Sequence, residues 1–546
     1  MYYFMLTMYV DICKYKRGNK TYCRSLLRIS YREDGKVKHK TVGNLKDASM
    51  DEVLLLKNAL AGNLIPAEDC PDLKTMQIRQ GPSFGALFTF LTLAKRIGIT
   101  SVLGSSKMAL FVLWLIFARI IDQGSRLSAA RLAERHAVKE LMGLDSVPAN
   151  SLYQALEWIA ERQEEVEKQL LKKRYPDSKP QLFLYDVTSS YLEGTENELS
   201  NWGYNRDKKR GKMQIVIGLL TDIEGVPVAV RVFEGNSSDP ITCLDQIKLL
   251  AKSFEVKNVT LVGDRGMIKS SQIKALNDKS FHFITAITRQ QISTLIKKVV
   301  IQLDLFDEKI TKVTDGDIRY VLRRNPIRAK EIAESRDSKF QYLERKIEQS
   351  NHYLKDHKKA KAEIQLRNLE TYAQQLRIFS FVKLELTENK TVVLSKCVEK
   401  IEESVQLDGC YAIKTDLGYE QIDSQSIHDR YKDLSKVEKA FRTMKTGFLE
   451  VRSIYVRKSD RTKGHVFITS LAYMITHEIR RLTTDRKDQP IEELIDQLTA
   501  INIIELKDKK DQLYRIPETD RKTQKILEQL DVQIPPFIPK TGLNVL

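Results

Sequence analysis

Between Gln181 and Ile287 the chain carries five strand-like runs, and their order limits the folds open to it more than any other feature. Gln181–Tyr191 is apolar and hydroxylated and carries one carboxylate, Asp186. Met213–Thr221 and Val226–Phe233 follow, joined by the turn Asp222-Ile-Glu-Gly225, so the first three runs predict an antiparallel meander with tight turns. An amphipathic helix at about 240–253 leads to Asn258–Met267, a strand that ends in Asp264. A helix at about 270–278 then leads to the strand Phe281–Ile287. The order is β-β-β-α-β-α-β, which predicts an α/β domain.

That order is the one found in ribonuclease H-like domains, an analogy at the level of fold. Around it the chain divides into a basic β-rich module at 1–75, a helical DNA-binding module at 76–178, a first half of the core at 179–289, an insertion at 290–405, a second half of the core at 406–485 and a helical tail at 486–546. The first module reads as a hairpin, Ser25–Tyr31 and Lys36–Val42 about the turn Glu33-Asp-Gly35. In the second, Ser128–His136 and Ser151–Trp158 read as a helix-turn-helix. The insertion combines strand-like pieces with a charged stretch at 329–376, where Phe340, Leu343, Ile347 and Leu354 predict a helical hairpin. The core resumes at Gly409–Asp416.

Lys plus Arg number 89 against 72 Asp plus Glu, a net charge of +17. Such a balance favours a polyanionic partner, with double-stranded DNA first among them. The clusters Arg206–Lys212 and Arg442–Lys463 supply cations for it, Arg206, Lys208 and Arg442 among them. The six cysteines show no Cys-x-x-Cys pair and no His partner at ligand spacing, which argues against a zinc site or a disulfide framework. The longest apolar run, Met108–Ile121, is short for a membrane span and carries Arg119, so a buried core helix and no membrane are expected. A cytoplasmic, nucleoid-associated prokaryotic protein is the expectation.

A second informative stretch is Asp429–Lys445. As one helix it places Leu434, Val437, Phe441, Met444 and Phe448 on an apolar stripe, with Tyr431, Glu438, Arg442 and Lys445 on a stripe beside it. Ser435-x-x-Glu438 also reads as a capping box that would close the helix start. Asp186, Asp264 and Glu438, brought together from three elements, form an all-oxygen set suited to Mg²⁺ or Mn²⁺. Two such ions about 3.5–4 Å apart catalyse phosphodiester displacement. Gly211-Lys212-Met213 lacks the flanking residues of a phosphate-binding loop, so no ATP requirement is expected.

In these residues the chain resembles insertion-sequence DDE transposases of the branch marked Tyr-x2-Arg-x3-Glu-x6-Lys. Tyr431, Glu438 and Lys445 match, and Leu434 stands at the Arg position. Tyr185-Asp186-Val-Thr, Gly203–Lys208, Phe233–Asp239, Gly263–Met267 and Gly464–Tyr473 match in the expected order. The resemblance implies Asp186, Asp264 and Glu438 as the catalytic triad, with DNA contacts from Tyr431 and Lys445; at the Arg position either a nearby cation such as Arg442 takes the missing part or the contact is absent. It implies nicking at element ends, release of a 3′-hydroxyl and its joining to target DNA, by a homodimer in the DNA complex. The alternatives are a ribonuclease H-like nuclease without joining activity and an inactive end-binding protein.

Overall fold

The computed structural model describes residues 7–17, 20–33, 36–61, 77–178, 180–204, 211–238, 241–243, 259–265, 268, 281–357, 359–445, 447–451, 454–507 and 512–538. It divides into two compact units, Met1–Gln80 with Ile504–Arg515, and Gly81–Ile503 with Ile516–Leu546.

In the first unit β1 (Thr7–Arg17), β2 (Lys20–Glu33) and β3 (Lys36–Asn44) form an antiparallel sheet in that order. The expected hairpin is thus the second half of a three-stranded meander. The helix α1 (Met50–Leu60) follows, opened by a Ser49–Glu52 capping box, and buries Val53. The strand β4 (Gln77–Ser83) comes next in the chain.

The second unit begins with seven helices: α2 (Gly85–Arg96), α3 (Ile99–Leu103), α4 (Lys107–Ile121), α5 (Arg126–Ala133), α6 (Val138–Met142), α7 (Ala149–Glu161) and α8 (Gln163–Arg174). The run at 108–121 is a core helix, with Phe111 through Ile120 buried. No single helix among the described residues is long and apolar enough to cross a membrane. The helix-turn-helix reading needs correction, because α6 intervenes between its two helices. The second of them, α7, also buries Leu152, Ala155, Leu156 and Ile159 in the core. A reading helix that is half core offers only its outer face to DNA.

The sheet comprises β5 (Leu182–Tyr191), β6 (Gln214–Thr221), β7 (Pro227–Glu234), β8 (Thr260–Gly263), β9 (His282–Ala286), β10 (Thr311–Asp315), β11 (Ile318–Arg324) and β14 (Cys410–Thr415), in the order β10-β11-β14-β9-β8-β5-β6-β7. The first three strands pair antiparallel, as the sequence predicts, while β8 lies parallel to both β5 and β9. Only the β6–β7 turn is tight; residues 192–213 separate β5 from β6. Numbering these five strands in chain order, the sheet runs 3-2-1-4-5. The helices expected at 240–253 and 270–278 fall almost wholly outside the described residues.

Residues 290–405 do not stand apart as a whole. Strands β10 and β11 extend the sheet through β14, because β11 presents Tyr320, Val321 and Leu322 as a buried run that can sit inside it. After α9 (Arg289–Lys297), the separate part comprises α10 (Pro326–Asp356), α11 (Ala362–Gln375), β12 (Val382–Leu386) and β13 (Val392–Lys396). Its own core joins Phe340, Leu343 and Ile347 to Leu369, Val382 and Val392, so the predicted helical hairpin is present. After α12 (Val398–Gln406), Asp408 fastens α10 to the sheet. It is 2% exposed, pairs with buried Arg336, and receives Arg289 at 3.1 Å. Asp408→Ala would leave Arg336 buried without its counter-charge, so a loss of about 3 kcal/mol in urea unfolding is expected. A change below about 0.5 kcal/mol, the range of ordinary surface substitutions, would refute the clamp.

The stretch 429–445 is two helices, α13 (Ser424–Lys432) and α14 (Leu434–Lys445), and not one. The chain tightens at Asp433, whose carbonyl accepts from the Lys436 amide only three residues on, at 2.8 Å. The long helix α15 (Ser459–Leu482) then runs through the core against α4, α7 and β7. Its Gly464 meets α7 so closely that a Cβ there would lie 2.1 Å from the Leu156 carbonyl oxygen. The expected helical tail contains α16 (Ile491–Thr499) and α17 (Arg521–Gln529), and also an antiparallel strand pair, β15 (Asn502–Lys507) and β16 (Gln512–Arg515). The alternation in Asn502–Lys507, with Ile503 buried, is the signal the helical reading passed over.

Candidate active site

Strand pairing brings the two aspartates together. The parallel register matches Tyr185 with Gly263, so Asp186 and Asp264 are the next residues on neighbouring strands, which lie about 4.8 Å apart. Asp186 sits mid-strand, half-buried, with one carboxylate oxygen 2.7 Å from the Val187 amide. Asp264 follows the last residue of β8 and is exposed. The Thr285 hydroxyl donates to the Asp264 carbonyl at 3.1 Å and ties that strand end to β9.

The helices α13 and α14 lie over this seam, α13 on β8 and β9, α14 on β5 and β6. From α13 the Tyr431 hydroxyl donates to Asp264 at 3.3 Å. Burial first, and then the charge of Asp264, push this phenol up to about 12, so it stays protonated and keeps its donor. From α14 the buried Lys445 reaches the Thr188 hydroxyl at 3.0 Å. Thr188 is two residues from Asp186 and on the same face of β5. At the other end of α14, Lys436 donates to the Ile223 carbonyl at 2.8 Å, in the turn where Gly225 adopts φ +84°.

These two anchors fix the ends of α14 against the sheet. From Lys436 to Lys445 the helix rises about 13 Å. The helix lies against β5 and β6, with Glu438 two residues past the Lys436 anchor. Glu438 and Lys445 are two turns apart and so share a side of the helix. Glu438 is exposed and makes no hydrogen bond or ion pair among the described residues. The capping-box alternative fails, because α14 starts at Leu434 and Ser435 is already inside it. The apolar stripe is present as Leu434, Val437, Phe441 and Met444, all buried, whereas Phe448 lies beyond the helix and is half-buried. Leu434 faces the core.

The three carboxylates are hard oxygen donors of the kind Mg²⁺ and Mn²⁺ take, and their elements bring them to one seam. Among the described residues no three His, Cys, Asp or Glu side chains are gathered closely enough to hold an ion. The donor chemistry fits a divalent cation, and the side chains are not closed around one.

Of the remaining candidates, Arg442 is exposed on α14, while Arg206 and Lys208 lie outside the described residues. The second basic cluster is not a bare patch. Arg457 pairs with Glu196 at 2.6 Å, Lys458 and Arg461 pair with Glu157 at 3.3 and 2.9 Å, and Lys463 pairs with Asp460 at 3.3 Å. Sequence reasoning missed Thr188 and Thr285, though Thr188 shares the alternation that marks Asp186.

Residues 177–475 match the family model described as the transposase DDE domain, and residues 11–63 match the N-terminal domain of IS1634 family transposases. No curated protein matches the chain. Among solved structures it aligns with piggyBac transposase, in a synaptic complex with hairpin DNA determined by cryo-EM. That alignment has 8% identity, covers 77% of this chain and 82% of that one, and has a TM-score of 0.36. The DDE match takes in more than half of the chain and contains Asp186, Asp264 and Glu438 together, and on that ground the chain belongs to the DDE transposases, enzymes that cleave DNA and transfer its strands.

Proposed function

We propose that Asp186, Asp264 and Glu438 are the catalytic carboxylates of a ribonuclease H-like core, and that they act on the ends of an insertion element. The observation that carries this is the pair of helices over the β5–β8 seam, with Tyr431 on Asp264 and Lys445 on Thr188, two residues from Asp186. The strand order 3-2-1-4-5, with β5, β8 and β9 parallel, supports the core assignment.

Two Mg²⁺ or Mn²⁺ ions held by these carboxylates would activate the attacking water or 3′-hydroxyl and stabilise the departing oxygen. The chain's own groups position the reactants. Tyr431 fixes the orientation of Asp264 through its hydrogen bond. Lys445 places a positive charge on the Asp186 face, where a scissile phosphate would lie. Arg442, with Arg206 and Lys208, contacts the flanking DNA backbone, which sets register without reading sequence. Joining conserves phosphodiester bonds, so ATP is not consumed. A homodimer holding two ends is the working assembly.

The test is single-turnover cleavage of a labelled element end by Asp186→Asn and Asp264→Asn, each with a chelator arm. Cleavage by the native chain should stop in excess chelator and return with Mg²⁺ or Mn²⁺ alone. Each variant should lose at least about a hundredfold in rate. Native-rate cleavage by either variant would remove that residue from the site.

A further inference from the structure

We propose that Trp202, Tyr204 and Tyr455 form a stacking platform for the unpaired bases of a single DNA strand leaving the cleavage site. The three side chains are 59%, 83% and 75% exposed. A lone exposed aromatic needs no explanation. Here three of them sit on backbone that is firmly held.

The loop after β5 is fastened at several points. Leu192 bridges to Ile454. The buried Asn197 side chain donates to the Val456 carbonyl at 2.6 Å and to the Thr462 hydroxyl at 2.7 Å. Asn201 exchanges amide hydrogen bonds with Gln214, both at 3.1 Å. The Gln214 side chain donates to the carbonyls of Tyr204 and Gly235, at 3.2 and 2.8 Å. Between the two aromatics, a Cβ on Gly203 would lie 2.1 Å from the Gly235 carbonyl oxygen, so the segment fits only without a side chain there. The scaffold is buried and bonded while the rings face solvent. A rigid loop that holds large π-faces in water has already met the ordering cost of stacking.

Between this loop and the segment carrying Tyr455 lies a cleft of about 330 Å³, lined by Leu192, Gly194, Glu196, Asn197, Tyr455 and Arg457. Its lining includes the exposed pair Arg457–Glu196, at 2.6 Å, and Glu193, next to Gly194 in the chain, pairs with Lys212 at 2.8 Å. Exposed pairs of this kind hold weakly, so a phosphate can displace either carboxylate. Aromatic faces with exchangeable cations beside them suit single-stranded nucleic acid, since every base can stack whatever its sequence.

The platform's position gives the strand its path. Trp202 follows Asn201, which bridges to Gln214, and Gln214 pairs with Tyr191 at the end of β5, five residues past Asp186. At about 3.3 Å per strand residue the platform lies roughly 17 Å from the carboxylates, or about five steps of a stacked strand. This placement rests on the reading of Asp186 as catalytic; the binding itself does not.

The test uses the full chain, a dT oligonucleotide of about 15 nucleotides, and a duplex of the same length. Trp114 is fully buried and the Trp158 ring is covered by Arg162 at 4.4 Å, so Trp202 is the tryptophan that ligand can quench. The single strand should quench emission, and Trp202→Ala should abolish the quench. Trp202→Ala, Tyr204→Ala and Tyr455→Ala should each weaken binding of the single strand about tenfold, measured by anisotropy. Trp202→Phe should restore most of it, and each variant should melt as wild type does. Asp186→Asn should quench normally while failing to cleave, which separates this inference from the catalytic one. No quench by the single strand, or wild-type affinity in the three alanine variants, would overturn the platform.

Discussion

Glu438→Gln is expected to slow cleavage of element-end DNA by about 10³-fold or more, the scale on which phosphoryl transfer responds to loss of a charge-stabilising group. At about 1.36 kcal/mol per tenfold, that is roughly 4 kcal/mol of barrier. The substitution keeps the shape of the side chain and removes its charge. Glu438 is exposed and has no partner among the described residues, so folding loses little, within about 0.5 kcal/mol, as is usual for such surface positions. End binding should persist. The experiment is a single-turnover cleavage time course with melting and binding measured on the same preparation. A variant that cuts at the native rate would show that Glu438 is only a surface group.

Duplex DNA affinity should fall by about 10³-fold between 50 and 200 mM salt if six phosphates are neutralised, because each contact releases counterions. The +17 charge is the reason to expect a steep slope, and Arg442, Arg457, Lys458 and Arg461 are the described residues placed to contribute. Glu157 already occupies two of these cations, so phosphate must compete with it. Glu157→Gln should therefore tighten binding a few-fold at low salt, since a solvent-accessible pair is worth up to about 1 kcal/mol. Equilibrium binding across a salt series checks both statements. A slope near zero would assign the positive charge to solubility alone, and unchanged binding by Glu157→Gln would move the DNA path away from α15.

The sequence by itself determined the elements whose period is local. β5, β6, β7 and β9 lie within a residue of their expected bounds, because apolar alternation and the Asp222–Gly225 turn act over a few residues. The buried helix α4 and the helical hairpin of residues 326–375 were legible for the same reason. So was the spacing of Tyr431, Glu438 and Lys445, which is a property of the chain before it folds.

Tertiary structure decided what depends on partners far away in the chain. A single helix through 429–445 is the simplest reading of its apolar stripe; the break at Asp433 follows from α13 lying on β8 and β9 while α14 lies on β5 and β6. That break sends Tyr431 to Asp264 and Lys445 to Thr188, contacts spanning 167 and 257 residues. Strands β10 and β11 looked like part of an insertion because nothing within 290–405 shows that Arg319–Arg324 will pair with Cys410–Thr415. The strand pair in the tail was hidden likewise, since its alternation is brief and half exposed. Periodicity names a buried face, and only the assembled sheet supplies the surface that buries it.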